Sequence, residues 1–279
     1  MQRFLVQTYY WGNFGGFWRA IFESEINTVM NALGHTYIAF KVIGKLNEMV
    51  IIGSHVNDLV PFIPNSVFSW EEIHESPEKV YFFVKEKYPE MVDFPVAMLT
   101  HSVKYGVDYY NRSIVNWFLK GNKDLENNMV EMIIDCSGVS EKVAREYRMH
   151  NYLWVGVEIY LLKKHNDFVK DIERFDLMSS INVISKMLSE CFGKNYNDVF
   201  KDVKNATETL NEFKIYTFDG ILDLWKKTMA GLPEKDVIDK EKTGKVFEFI
   251  YNSFEDRWEK TLGFVEIQVK NKIHEFLIT

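Results

Sequence analysis

Proline is scarce in this chain, and its distribution limits what the chain can fold into. The 279 residues include six prolines, and none lies between Pro95 and Pro233. Because proline disrupts a helix interior, a long stretch without it, with charges spaced along it, favours helices. Alternation typical of strands is weak, and its best examples, MVIIG at 49–53 and VEIQV at 265–269, are short. We therefore predict an all-α protein built as a multi-helix bundle.

Helical spacing of apolar residues places helices along most of the chain. Gly34 is a plausible stop for a helix over 16–33, and residues 53–69 contain prolines and turn-type residues that indicate a loop. In the first half, helices are predicted near 16–33, 35–46, 76–88, 93–110, 111–134 and 141–165. In the second half, amphipathic helices are predicted near 171–191, 195–213, 217–230, 235–252 and 254–276.

Histidines are concentrated in the first 165 residues, where most have a carboxylate a few residues away. Five of the seven lie in short apolar segments, namely His35, His55, His101, His150 and His165. His74, His165 and His274 also have charged neighbours in sequence, and we expect these three at the surface.

Helical spacing would bring several of these groups together. His101 and Asp108 are seven residues apart. Glu146 lies four residues before His150, and Glu158 lies eight residues after it. Such spacings share one face of a helix. His55 and Asp58 belong to the predicted loop, which is a common place for ligands.

Two interpretations of these histidines remain open. A buried imidazole needs a partner, because unpaired buried polarity costs about 1–3 kcal/mol, and a nearby carboxylate can supply that partner. Alternatively, imidazoles and carboxylates from facing helices converge on a divalent ion, for which zinc is the best match. For any single histidine the structural interpretation is favoured by roughly four to one. The recurrence of four such segments within the first 165 residues favours the metal site.

Length and histidine content together suggest how the chain is organised. We predict a helical metal-binding region over residues 1–167 and a helical C-terminal extension over 168–279, packed together as one globular unit. A chain of 279 residues is long enough for one substantial core.

Several other functions are disfavoured by composition and by missing motifs. The net charge of −7 argues against general nucleic-acid binding. The GNFGG run at 12–16 lacks the lysine of a phosphate-binding loop, and no GxSxG nucleophile motif is present. With only Cys136 and Cys191, no disulfide framework or CxxC site is expected. We find no secretion signal and no transmembrane run, and predict a cytoplasmic protein.

Four segments, in this order, resemble the zinc-dependent phospholipase C family, within the group that includes P1-type nucleases. They are LGHTYIAFKVIG at 33–44, GSHVNDLVPFIP at 53–64, LTHSVKYGVD at 99–108 and HNYLWVGVE at 150–158. The similarity covers roughly residues 30–165. It departs from the family pattern at Tyr105 and Trp154, where the family has an aspartate and a glutamate four residues after histidine.

The resemblance implies a metal-dependent hydrolase that acts on a small-molecule or lipid phosphoester. It implies metal ligands at His35, Asp58, His101, Asp108, His150 and Glu158, to which the sequence alone adds His55. Asp108 or Glu158 would orient a ligand imidazole or act as general base. The alternative is a non-catalytic helical binding or scaffold protein with structural histidines. An HD-type phosphohydrolase needs an adjacent His-Asp pair, which this chain lacks.

Overall fold

The computed structural model describes residues 32–59, 63, 65–111, 113–230 and 236–278. Within these ranges the chain is helical and contains no strand, so the predicted all-α class is confirmed. The helix predicted over 16–33 lies almost wholly outside the described residues. None of the described helices is long and apolar enough to cross a membrane.

Short helices dominate the first part of the chain. They are α1 (Ala32–Ile43), α2 (Glu48–Gly53), α3 (Val56–Leu59), α4 (Trp70–Ile73), α5 (Pro77–Lys87), α6 (Asp93–His101), α7 (Ser113–Leu119) and α8 (Lys123–Ser137). Single 3-10 turns lie at Pro89–Met91 and Val107–Tyr110.

The rest of the chain contains most of the longer helices. The helices there are α9 (Glu141–Val143), α10 (Met149–Lys164), α11 (Asn166–Glu173), α12 (Ile181–Phe192), α13 (Tyr196–Phe213), α14 (Phe218–Ala230), α15 (Lys240–Ser253) and α16 (Trp258–Ile278). A π-helical turn, Ala144–Arg148, joins α9 to α10, and a 3-10 turn spans Leu177–Ser180.

The predicted loop over 53–69 is partly wrong, because α2 extends to Gly53 and α3 follows. Asn47 starts α2 by accepting a hydrogen bond from the Val50 amide. Gly53 serves close packing, since a Cβ there would lie 2.5 Å from the Phe94 carbonyl oxygen of α6. The helix stop predicted at Gly34 is also wrong, because Gly34 lies in the first turn of α1.

The predicted helix over 93–110 ends at His101. Ser102 has φ −55° and ψ 155°, which leaves the helical region, and the chain then turns back over α6. Gly106 permits this return, because a Cβ there would lie 2.2 Å from the Thr100 carbonyl oxygen. Asp108 therefore lies on a separate 3-10 turn and not on the helix of His101.

The core is continuous through the described residues of both parts of the chain. Helix α10 is buried from Met149 to Leu161 and contacts α1, α15 and α16. Helices α1, α2 and α6 pack against one another, and α12 packs on α5. This arrangement brings the carboxyl end of α6 and the amino end of α1 to the same place.

Candidate metal centre

Four buried side chains from four separate segments converge at this place. Asp58 lies on α3, His74 follows α4, His101 ends α6, and Asp108 lies on the 3-10 turn after α6. Each offers one ligand atom, and these atoms all lie within 4.8 Å of one another. Imidazole nitrogens and carboxylate oxygens in this number are a ligand set that suits zinc and related divalent ions.

The two carboxylates share the same pair of imidazoles. His74 Nε2 lies 3.1 Å from Asp108 Oδ2 and 3.5 Å from Asp58 Oδ1. His101 Nε2 lies 3.2 Å from Asp58 Oδ1 and 3.4 Å from Asp108 Oδ2. In all four of these contacts between a carboxylate and an imidazole, the ring nitrogen is Nε2.

The orientation of His101 is set by a backbone contact on the other side of its ring. Its Nδ1 donates to the Ser54 carbonyl oxygen at 2.7 Å, and the side chain is fully buried. This bond directs Nε2 at the carboxylates, yet Nε2 makes no contact of hydrogen-bond geometry with the described residues. A metal-bound imidazole shows the same pattern, with one nitrogen on the backbone and the other on the ion.

Asp108 extends the centre towards α1. Its Oδ1 accepts a hydrogen bond from Asn111 Nδ2 at 2.9 Å and lies 3.7 Å from His35 Nε2. The His35 ring stacks on His101 with centroids 3.9 Å apart. His35 therefore adjoins the four convergent groups.

Electrostatics in the centre reflect burial and close charges. Burial lowers the pKa of His101, but Asp58 and Asp108 outweigh that effect and raise it well above its usual value. Burial alone would raise the pKa of Asp108, but His101 holds it well below its usual range. Burial, reinforced by His101, holds the pKa of His35 well below its usual value. In the metal-free protein these shifts favour a proton on His101, which offsets one of the two carboxylate charges.

His74 was expected at the surface, and that expectation is wrong, since the residue is 1% exposed. Its ring stacks on Trp70 with centroids 3.9 Å apart, and its amide donates to the Trp70 carbonyl oxygen. The sequence signal for this short helix is a capping box at Ser69 and Glu72, which places Trp70 and His74 one turn apart.

The other predicted ligands lie outside the four-residue group. His55 Nε2 contacts Thr36 Oγ1 at 2.9 Å, and burial lowers the pKa of His55 to about 3. Glu158 accepts hydrogen bonds from the Leu33 and Gly34 amides at 2.9 and 2.8 Å, which is how a carboxylate caps a helix. His150 is buried on α10 but is not one of the convergent groups.

The predicted stripe of Glu146, His150 and Glu158 is broken by the π-helical turn. Glu146 lies within that turn and is exposed, whereas His150 and Glu158 are buried. A π-helical turn shifts the register of a helix face, so the α-helical spacing does not apply across it.

Comparison of the chain with models of protein families, with curated proteins and with solved structures gives no match. The site is therefore interpreted from its own geometry. Four buried groups able to hold a metal ion lie between helices of the N-terminal half.

Proposed function

We propose that this protein is a metal-dependent hydrolase that acts on a phosphoester, with a divalent ion, zinc as the first choice, at Asp58, His74, His101 and Asp108. The observation that carries this proposal is the convergence of these four buried side chains within 4.8 Å. A divalent ion held there would polarise a phosphoryl oxygen and lower the pKa of a coordinated water.

Charge balance supports an ion in the centre. A proton on His101 offsets only one of the two carboxylate charges, whereas a divalent cation would neutralise both. The bond from His101 Nδ1 to the Ser54 carbonyl oxygen leaves Nε2 to bind either a proton or a metal ion. Metal binding is therefore expected to displace the proton from His101.

The chain's own residues take distinct roles in this proposal. Ser54 orients the His101 ring through its carbonyl oxygen. Asn111 orients the Asp108 carboxylate, whose Oδ1 also faces His35. Both carboxylate oxygens of Glu158 accept hydrogen bonds from backbone amides of α1. Glu158 therefore supports α1 and is poorly placed to act as a general base.

A non-catalytic alternative is favoured by one observation. The four ligand side chains are each 7% exposed or less. Closed four-ligand sites are typical of structural zinc. In that case the ion would hold α3, α4 and α6 together in a binding or scaffold protein.

Metal analysis of the untagged protein, followed by a hydrolysis assay, tests both possibilities. We expect close to one zinc ion per chain after reconstitution, and metal-dependent cleavage of bis(p-nitrophenyl) phosphate or phosphatidylcholine vesicles. Less than about 0.2 ion per chain, with no recovery on adding Zn²⁺ or Mn²⁺, would exclude the metal centre. Stoichiometric metal with no hydrolysis of either probe would favour the structural role.

A further inference from the structure

The segment that leads into His74 is held by side chains from the far half of the chain. Asp202, on α13, is 3% exposed. Its Oδ2 accepts hydrogen bonds from Ser66 Oγ and from the Val67 amide, both at 2.8 Å. A buried carboxylate with two donors is a strong anchor, because charge-assisted hydrogen bonds are about twice as strong as neutral ones.

Lys194, in the turn between α12 and α13, makes a second attachment to the same segment. Its Nζ donates to Glu72 Oε2 at 2.8 Å and to the Val67 carbonyl oxygen. It also lies 5.1 Å from the centroid of the Phe68 ring. Phe68 in turn packs edge-on against Phe192 at the end of α12.

These attachments continue directly to the metal centre. Glu72, held by Lys194, forms the capping box with Ser69 that begins α4. Trp70, the first residue of α4, stacks on His74. The path from Asp202 and Lys194 to the His74 ring is therefore unbroken.

We propose that Asp202 and Lys194 are positioning residues that fix His74 in the metal centre, so that the C-terminal region sets the metal affinity of the site. This inference rests on the proposed metal centre but not on hydrolysis. It assigns a role to residues 168–279, which hold no member of the four-residue group.

The test compares full-length variants by zinc affinity, measured in competition with a chromophoric chelator. We expect Asp202→Ala to weaken zinc binding by about 10-fold, as for residues that support metal ligands. Asp202→Asn keeps an acceptor oxygen and should lose less zinc affinity than Asp202→Ala. Glu208→Gln, an exposed carboxylate on the same helix, is the matched control and should bind zinc like the wild type.

A double-variant cycle separates positioning from general loosening of the fold. If Asp202 acts through His74, Asp202→Ala should have no further effect on zinc affinity once His74→Ala is present. An equal loss in both backgrounds would overturn the proposal. If Asp202→Ala fails to fold, Asp202→Asn and Lys194→Met can replace it in the same double-variant cycle with His74→Ala.

Hydrogen exchange of the metal-free protein gives a readout that does not need zinc. Asp202→Ala and Lys194→Met should accelerate amide exchange over residues 66–74, while Glu208→Gln should not. If the wild type binds no metal, the proposed metal centre fails and the inferred control of metal affinity fails with it. Faster exchange would then show only that the segment is anchored. Unchanged exchange and unchanged zinc affinity in the variants would reject the positioning role alone.

Discussion

Two clusters in this molecule contain buried carboxylates, and they differ in how the negative charge is neutralised. Arg148 and Asp236 form one of them, with the guanidinium donating to both carboxylate oxygens at 3.0–3.3 Å. The candidate metal centre is the other, where Asp58 and Asp108 face two imidazoles. Both clusters are almost inaccessible to solvent, with no member more than 7% exposed.

The difference lies in how each cluster is neutralised. Arginine stays protonated at any ordinary pH, so the Arg148–Asp236 pair carries its own compensation. The candidate metal centre has two carboxylates; a proton on an imidazole balances one of these charges, and a bound divalent cation would balance both. Arginine fits a structural contact, whereas histidine fits a site that exchanges protons or metal ions.

The largest expected effect comes from breaking the self-compensated pair. Arg148→Met leaves Asp236 buried without its guanidinium, and we expect a loss of about 3–5 kcal/mol in the free energy of unfolding. Chemical denaturation measures this loss, which should be the same with zinc and with chelator. Arg145→Met is the control, since Arg145 forms surface ion pairs with Glu126 and Glu141 and should cost about 0–1 kcal/mol.

Replacing Asp236 as well sharpens the comparison. In an Arg148→Met/Asp236→Leu double variant neither charge remains, so part of the lost stability should return. A double variant no more stable than Arg148→Met would show that the pair has a role beyond charge compensation.

His101→Ala probes the metal centre, where the effect should depend on the metal. A ligand present at about 100-fold its dissociation constant adds roughly 2.7 kcal/mol to stability. We therefore expect the loss on His101→Ala to be larger with zinc than with chelator by up to about that amount. Thermal or urea unfolding under the two conditions measures the difference. An equal loss in both would mean that His101 is a structural hydrogen bonder.

Much of the fold could be predicted from the sequence, because helical periodicity is a local property. The scarcity of proline and the spacing of apolar residues correctly predicted an all-α chain. The proximity of His101 and Asp108 was predicted for the wrong reason. They meet because the chain turns back through Gly106 and not because they share a helix face.

The candidate metal centre depends on long-range contacts that local sequence patterns do not contain. His74 lies among charged neighbours in sequence, but its ring is buried against Trp70, His101 and Asp108. The segment before it is held by Asp202 and Lys194, more than 110 residues away. Glu158 was predicted as a ligand from its spacing to His150 and from the resemblance, and its carboxylate accepts hydrogen bonds from the amino end of α1. Periodicity identified the helices, and only their packing determined which side chains meet.

Glu158 represents a third way to bury a carboxyl group, with backbone amides in place of a cation, and it should give the most pH-dependent effect. Burial raises the pKa of Glu158 from 4.5 to about 8, although the Leu33 and Gly34 amides act in the opposite direction. Between these values the folded chain keeps a proton that the unfolded chain has lost. The contribution of Glu158 to stability is therefore complete below about pH 4.5 and is lost as the pH rises to about 8, by at most about 1.4 kcal/mol per pH unit.

Glu158→Gln removes this titration, so the stability of the variant relative to the wild type should rise across that pH range. Urea unfolding at several pH values tests this, and Glu248→Gln, which removes an exposed partner of Lys163, should run parallel to the wild type. A Glu158→Gln curve that also runs parallel would mean that the two amides keep Glu158 ionised, as Arg148 does for Asp236.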